Sequence, residues 1–367
     1  MAVRYWVGGP GTWDTTSTAH WSASSGGAGG ASVPTSADDV VFDGNSGSSC
    51  MVTPNDLSGA VACRDLTFVA GFDGLVLQGY GSGMVVNCYG NYRVAAGAGG
   101  VRAESAGFKL MAPGAVTVDT NGVPHGDITF AGGGTYTLLS DLVGGMADAE
   151  TTFQLTAGTL DVAGKTIRVD RFQSTGATAR EVKFTGGGTM DLGDMAASGV
   201  SGLTLSGSNW TWDAAKTGTL KIRRADSFAI SGGTPSFGAV LLAPAEQPVL
   251  LAFPGGSYIK SLSFDGSGQV TQDVGISLPT AGTVTVEAIQ VLSGAAKAAR
   301  VKINSTTPGT KGNLTVFSAT RIKPDNLTLK DVAVSSGPLL AGGNAVNGGN
   351  CSGVFFGKKL PGMGAIL

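Results

Sequence analysis

Charged residues are scarce in this sequence, and their scarcity argues against a helical protein. They make up 14% of the 367 residues, against about 25% in ordinary soluble proteins. Glycine is abundant instead, at 60 residues, and it is a poor helix former. The hydrophobic share of 42% also excludes a disordered chain, because disorder goes with low hydrophobicity and high net charge. The chain can therefore bury a sizeable core.

The sequence lacks the residues that would bind several classes of partner. The 24 basic and 26 acidic residues leave a formal charge of -2, without a basic run to neutralise phosphates, so we expect no nucleic-acid partner. Apolar runs stay below the 18 or so residues that cross a bilayer, and the first ten residues contain no apolar leader. We therefore expect synthesis in a host cytoplasm and no insertion into a membrane.

Histidine and cysteine are too few and too dispersed for an evident metal site. The chain has two histidines, and its four cysteines, Cys50, Cys63, Cys88 and Cys351, contain no C-x-x-C pair. A zinc site needs about four such ligands. We predict no metal and no cofactor, and we expect the cysteines to be small buried side chains, as free cysteine commonly is.

Short alternating runs fill the chain from about residue 38 onward. Runs such as those at 166–169 and 219–222 are separated by Gly, Ser, Thr, Asn and Asp, which is the pattern of strands and tight turns. We predict an all-β protein whose β-solenoid or β-helix-like body is built of short strands. β-Sandwich modules are the alternative, because Asp43-Gly44 and Asp265-Gly266 could also form hairpin turns.

An internal repeat favours the solenoid. The segment 127–135 reappears at 181–189, and looser copies share a polar residue, an aliphatic residue, a spacer, a Phe and a following Gly. Residues two apart in a strand face the same side, and coils of about 20 to 30 residues are common. The 54-residue offset therefore predicts two coils, with inward rings at Phe42, Phe68, Phe130, Phe184 and Phe264.

The composition divides the chain into three segments. Residues 1–37 are predicted to be a Trp- and Gly-rich N-terminal cap or attachment segment, since Trp6, Trp13 and Trp21 lie there and solenoids need caps. Stacking of these rings on a glycan is the alternative. Residues 38–357 form the repetitive β body, and 358–367 form an apolar C-terminal tail that either tucks under the last coil or docks on another subunit.

The carboxylates are candidate catalytic groups because glycan cleavage needs only two of them, about 5 to 9.5 Å apart. Four copies of the repeat carry an acid three residues before the Phe, at Asp39, Asp65, Asp127 and Glu181. Coils stack about 4.8 Å apart, so acids two coils apart would lie about 10 Å from each other. We interpret them as polar residues that open strands at solvated corners, and we predict no catalytic residue and no enzyme.

Other reactive patterns are weak. The segment 158–166 resembles a phosphate-binding loop but has one residue too many between its glycines, and a strand follows it. His20 and His125 fall in apparent loops, where solvated or capping roles are expected.

Several segments resemble one family. The opening 4–13, the runs at 26–35 and 38–43, the middle stretch 153–180 and the close at 348–357 are similar to β-solenoid proteins encoded by tailed bacteriophages and prophages. The resemblance implies a virion structural role in fibres, spikes or surface decoration, often as trimers, and it carries no catalytic residue.

The expected function follows from that resemblance. We expect a virion structural protein, first as a tail fibre or spike-type component in host contact, and alternatively as a capsid decoration or head-fibre protein. A glycan depolymerase on a β-helix is the alternative of another class. The expected partners are the chain itself as a homotrimer, other virion proteins and a host surface glycan, and the expected location is the virion.

Overall fold

The structure is a computed structural model, and its regular elements are strands throughout the part of the chain that it describes. The described residues are 1–47, 50–54, 61–72, 74–76, 85–98, 107–145, 150–193, 201–224, 226–243, 249–265, 274–291, 301–317, 327–336, 339–341 and 345–356. They divide into two compact units, one up to Gly188 with the segment Ser208–Trp210 and one holding the other described residues from Thr189 onward.

The strands are short and follow one another at nearly every turn. The first run is β1 (Val3–Trp6), β2 (Gly11–Trp13), β3 (Trp21–Ser22), β4 (Asp39–Phe42), β5 (Cys50–Pro54), β6 (Val61–Cys63), β7 (Leu66–Phe68), β8 (Gly74–Val76), β9 (Val85–Cys88), β10 (Tyr92–Val94), β11 (Gly107–Leu110), β12 (Ala115–Asp119), β13 (Pro124–His125), β14 (Ile128–Phe130), β15 (Thr135–Leu138), β16 (Leu142–Gly144), β17 (Thr152–Leu155), β18 (Gly158–Asp161), β19 (Thr166–Val169), β20 (Arg171–Ser174) and β21 (Arg180–Lys183). The second run is β22 (Thr189–Leu192), β23 (Gly202–Leu205), β24 (Trp210–Trp212), β25 (Thr219–Ile222), β26 (Ser227–Ile230), β27 (Ser236–Leu242), β28 (Val249–Ala252), β29 (Tyr258–Phe264), β30 (Val274–Leu278), β31 (Thr283–Val291), β32 (Val301–Ser305), β33 (Gly312–Val316), β34 (Leu327–Lys330), β35 (Val332–Ser335), β36 (Leu339–Ala341), β37 (Val346–Asn347) and β38 (Val354–Phe356).

The first unit is a stack of parallel coils. Its strands form ladders in the orders β1-β4-β7-β10-β12-β15-β18-β21, β6-β9-β11-β14-β17-β20, β13-β16-β19 and β2-β5-β8. Val40 pairs with Leu66, Leu66 with Tyr92 and Tyr92 with Val118, so each of these coils takes 26 residues (66 minus 40). At the start of the first ladder, β3 pairs antiparallel with β1.

The second unit is also a stack of parallel coils, with ladders of its own. They run in the orders β22-β25-β27-β29-β31-β33-β35, β28-β30-β32-β34-β37, β23-β26 and β36-β38. Strands reach seven residues in β27 and β29 and nine in β31. Apart from β1 and β3, the pairings within each unit of the described chain are parallel and join strands of successive coils, which confirms the predicted β-solenoid-like body and not the sandwich.

The predicted inward rings are confirmed. Phe42, Phe68 and Phe130 are 0% exposed, Phe264 is 1% exposed and Phe184 is 2% exposed. Alternate residues of each strand reach the core in the same way: β4, β9 and β25 alternate between half-buried and buried positions.

The two-coil interpretation of the 54-residue repeat is wrong. Ile128 stacks on Phe153 and Phe153 on Phe172, so two coils from Ile128 take 44 residues (172 minus 128). Val182 instead stacks on Leu160 in a different ladder of the first unit. The two copies are similar because both need an inward aliphatic residue, an inward Phe and a glycine turn, although they lie on different faces of the coil.

The N-terminal tryptophans pack on the first coil. Trp6 is 0% exposed, and Trp13 and Trp21 are 1% exposed. Trp21 meets the other two edge-on, with ring centroids 5.0 and 5.2 Å away, and Trp6 stacks against Phe42 at 5.9 Å. Because the rings are covered, they offer no face to a glycan in this conformation. The boundaries 1–37 and 38–357 stay predictions, and the tail 358–367 lies outside the described residues.

Candidate functional site

The acids of the repeat are placed at strand starts, where they bind the neighbouring coil. Asp39 forms a bidentate pair with Arg64, at 2.6 and 2.5 Å, one coil away. Asp65, directly beneath it in register, accepts the backbone N–H of Asn91 at 2.8 Å, and Asn91 Oδ1 accepts the N–H of Thr117 at 2.9 Å. The same contact thus repeats every 26 residues.

This contact recurs across both units. Eight aspartates, which we call the carboxylate clamps, accept a backbone N–H from an adjacent coil of their own unit at 2.8 to 3.2 Å. The pairs are Asp65 with Asn91, Asp127 with Thr152, Asp141 with Thr166, Asp161 with Thr185, Asp170 with Thr151, Asp213 with Gly238, Asp226 with Ser201 and Asp331 with Gly309. Backbone groups at strand ends need such partners, and bonds to a charged acceptor are the stronger kind.

Three clamps are buried, which makes their bonds the most consequential. Asp170 is 0% exposed, Asp213 is 1% exposed and Asp331 is 4% exposed. The Asp213 carboxylate accepts the N–H groups of Gly218 at 2.9 Å, Thr217 at 3.1 Å and Gly238 at 3.1 Å. A buried carboxylate without donors would be costly, so these three donors hold the turn after β24 and the start of β27 together.

The pKa values of two aspartates reflect the hydrogen bonds that their carboxylates accept. Burial raises the pKa of Asp38, but hydrogen bonds from Thr35 and from the N–H of Ala2 outweigh it and leave the pKa below its ordinary value. The N–H of Gly309 and the amide of Asn350 likewise lower the pKa of Asp331. Both carboxylates are therefore charged at neutral pH, as acceptors of N–H bonds should be.

One acid pair comes closer to a catalytic arrangement. Asp127 accepts the N–H of Thr152 at 2.8 Å, and Glu150 binds Arg171 at 2.8 Å. Asp127 is exposed as a residue, but shielding of its carboxylate from water raises its pKa, and the charge of Glu150 adds to the rise. The Thr152 N–H and the Arg171 charge act in the opposite direction. The sequence pointed to Asp127 but not to Glu150 as its neighbour; Asp148, the other acid near Glu150, lies outside the described residues.

The repeat acids do not lie two coils apart, which is the spacing we expected from the sequence. Asp39 and Asp65 lie on neighbouring coils and not two coils apart, because Val40 and Leu66 pair directly. Asp127 precedes β14 in another ladder, and Glu181 lies in β21, five strands beyond β7 in the ladder of Asp39 and Asp65. Glu181 accepts a hydrogen bond from the Thr159 hydroxyl at 3.3 Å. The four acids therefore form no common site, and the spacing argument of about 10 Å does not apply to them.

The histidines are more deeply placed than the sequence indicates. His125 is 0% exposed, lies in β13 and contacts Tyr92 Oη through Nε2 and the Val123 carbonyl through Nδ1, both at 2.6 Å. Burial lowers its pKa to about 4, against the weaker opposing effect of the Val123 carbonyl. The expected solvated role is therefore wrong for His125. His20 is half-buried and stacks on Trp6 at 4.8 Å.

The candidate phosphate loop has the wrong structure for its chemistry. Residues 158–166 run from β18 through a turn with positive φ at Ala163 and Gly164 into β19. Phosphate loops place the anion at a helix N-terminus, and these described residues contain only strand and turn. The motif therefore gives no nucleotide site.

Comparisons with known proteins add no assignment, since no family model, curated protein or solved structure matches the chain. Within the described ranges, no three His, Cys, Asp or Glu side chains are grouped so that they could hold a metal ion. The same part of the chain contains no helix of the length and apolarity that a membrane span requires. The described residues contain carboxylates that join coils and one acid pair beside an arginine, in which Asp127 is exposed and Glu150 is half-buried.

Proposed function

We propose that the protein is a structural component of a tailed-bacteriophage virion, first as a tail fibre or spike-type element in host contact. The observation that carries the proposal is the set of carboxylate clamps, which commits eight aspartates to joining adjacent coils. The resemblance to phage β-solenoid proteins supports the same role.

The construction suits a particle that must survive outside the cell. Parallel ladders satisfy the backbone, the inward rings form a continuous core within each unit, and the clamps secure strand ends that would otherwise open first. Stacked repeats also present extended faces for binding. The proposed partners are further copies of the chain as a homotrimer, other virion proteins and a host surface glycan.

Immunogold labelling of purified particles tests this role and separates its two versions. Label at the tail is the expected result, and label over the capsid would favour the decoration or head-fibre alternative. Particles that carry no label, while an antibody to the major capsid protein labels them normally, would overturn the virion proposal.

A glycan depolymerase is kept as a second candidate because Asp127, Glu150 and Arg171 lie together. We expect the purified chain to bind host envelope glycans without releasing reducing ends or unsaturated sugars. Turnover that is abolished by Asp127→Asn and retained by Asp65→Asn, a clamp variant in another ladder, would establish the enzyme instead.

A further inference from the structure

Cys63 and Cys88 occupy equivalent positions on adjacent coils of the first unit. They pair directly in the parallel ladder of β6 and β9, and both are 0% exposed. Neighbouring strands lie about 4.8 Å apart, a Cα separation that falls within the roughly 4.4 to 6.8 Å found in disulfides. The two side chains also point to the same side of the sheet, because they share one register position.

The thiols already approach each other. They occupy one register position on adjacent strands, and Cys88 Sγ lies 3.1 Å from the carbonyl oxygen of Arg64, the residue after Cys63. The sulfur of Cys88 is therefore directed toward the β6 side of its strand. The neighbouring Cys88 side chain, together with burial, raises the pKa of Cys63.

One strand of the pair lies at the end of its ladder. In its ladder β6 is the terminal strand, with β9 as its only described neighbour, whereas β9 is held between β6 and β11. Disulfides need Cβ atoms about 3.5 to 4.5 Å apart, slightly closer than the ladder spacing. A small shift of β6 toward β9 would supply this approach.

We propose that Cys63 and Cys88 are a modification site at which a low-molecular-weight disulfide oxidant forms a cross-link between coils. Local opening of β6, or folding in the presence of the oxidant, exposes one cysteine; its thiolate attacks oxidised glutathione and releases one glutathione, and the second cysteine then attacks the mixed disulfide and releases another. The two protein thiols lose two electrons and two protons, and one oxidant disulfide becomes two glutathione thiols. The cross-link would form whether or not the protein belongs to a virion.

The other two cysteines define the controls. Cys50 is buried, and its Sγ contacts the carbonyl of Gly9 at 3.4 Å. Cys351 is half-buried, so the expectation that it is buried is wrong, and it could react between chains. A Cys351→Ser background therefore removes intermolecular products and leaves three thiols.

The test is thiol counting with peptide mapping after equilibration with oxidised glutathione, on the native chain and on chain refolded in the same buffer. We expect three thiols to fall to one, with the tryptic peptides 5–64 and 65–93 joined, and the unfolding midpoint to rise by about 5 °C or more. Peptide 5–64 also contains Cys50, so the link must persist in Cys50→Ala and vanish in Cys63→Ala. Three free thiols in both arms, mixed glutathione adducts alone, or a link that requires Cys50 would overturn the proposal.

Discussion

Tyr92 donates its hydroxyl proton to Nε2 of His125 across 2.6 Å inside the first unit. The other ring nitrogen, Nδ1, donates to the Val123 carbonyl at 2.6 Å, so both nitrogens are satisfied in the neutral ring. The imidazolium would have two N–H donors and would lose the acceptor that Tyr92 needs. This buried pair joins strands β10 and β13, which belong to different ladders.

The first prediction concerns pH. Burial holds the pKa of His125 at about 4, below the value of about 6.5 of an unfolded chain. The unfolded state therefore binds the proton first, and the free energy of unfolding should fall by about 3 kcal/mol as the pH decreases from about 6.5 to about 4. Urea unfolding at a series of pH values measures this slope.

The matched variant for that experiment is His125→Gln, which keeps a polar side chain but cannot titrate. We expect it to be less stable at pH 7 and to lose most of the slope between pH 6.5 and 4. An unchanged slope in the variant would show that other groups cause the acid sensitivity.

The second prediction concerns the core. Phe130→Ala should lower the free energy of unfolding by about 3 to 5 kcal/mol, since it leaves a cavity beside Tyr136, whose ring centroid lies 5.2 Å away. Leu139→Ala is the control, because Leu139 is 50% exposed, and it should change stability by about 0.5 kcal/mol or less. Similar effects of the two variants would contradict the inward placement of Phe130.

The third prediction concerns the clamps. Asp213→Ala removes the acceptor for three N–H groups and should cost about 3 to 5 kcal/mol, while Asp213→Asn keeps an oxygen and should cost less. Asp43→Ala is the control, because its carboxylate accepts the N–H of Asn45 within its own turn at 2.9 Å. Chemical denaturation measures all three variants, and equal losses for Asp213→Ala and Asp43→Ala would refute the clamp role.

The fourth prediction concerns assembly. We expect light scattering to give about three times the mass of one chain, since tailed-phage β-solenoid proteins are often trimers. Removal of residues 358–367 should weaken that assembly. A stable monomer whose truncated form behaves identically would remove both expectations.

The sequence was sufficient for the fold class because the two-residue alternation and the glycine turns are local. Phe42 and Phe264 could be placed inward for that reason. The register between coils could not be predicted from the sequence. The copies at 127–135 and 181–189 look equivalent, but coil length varies, and two coils from Ile128 reach Phe172. The clamps, the Cys63 and Cys88 pair and the burial of His125 depend on which residues share a position on successive coils, so no local pattern indicates them.

The most direct test of the virion proposal is absolute quantification of this protein in purified particles by mass spectrometry with labelled standard peptides. We predict several copies per particle, in a fixed ratio to the major capsid protein across independent preparations, and retained through density-gradient purification. Absence from the particles, or an amount that falls with each purification step while the capsid protein stays constant, would contradict the proposed role.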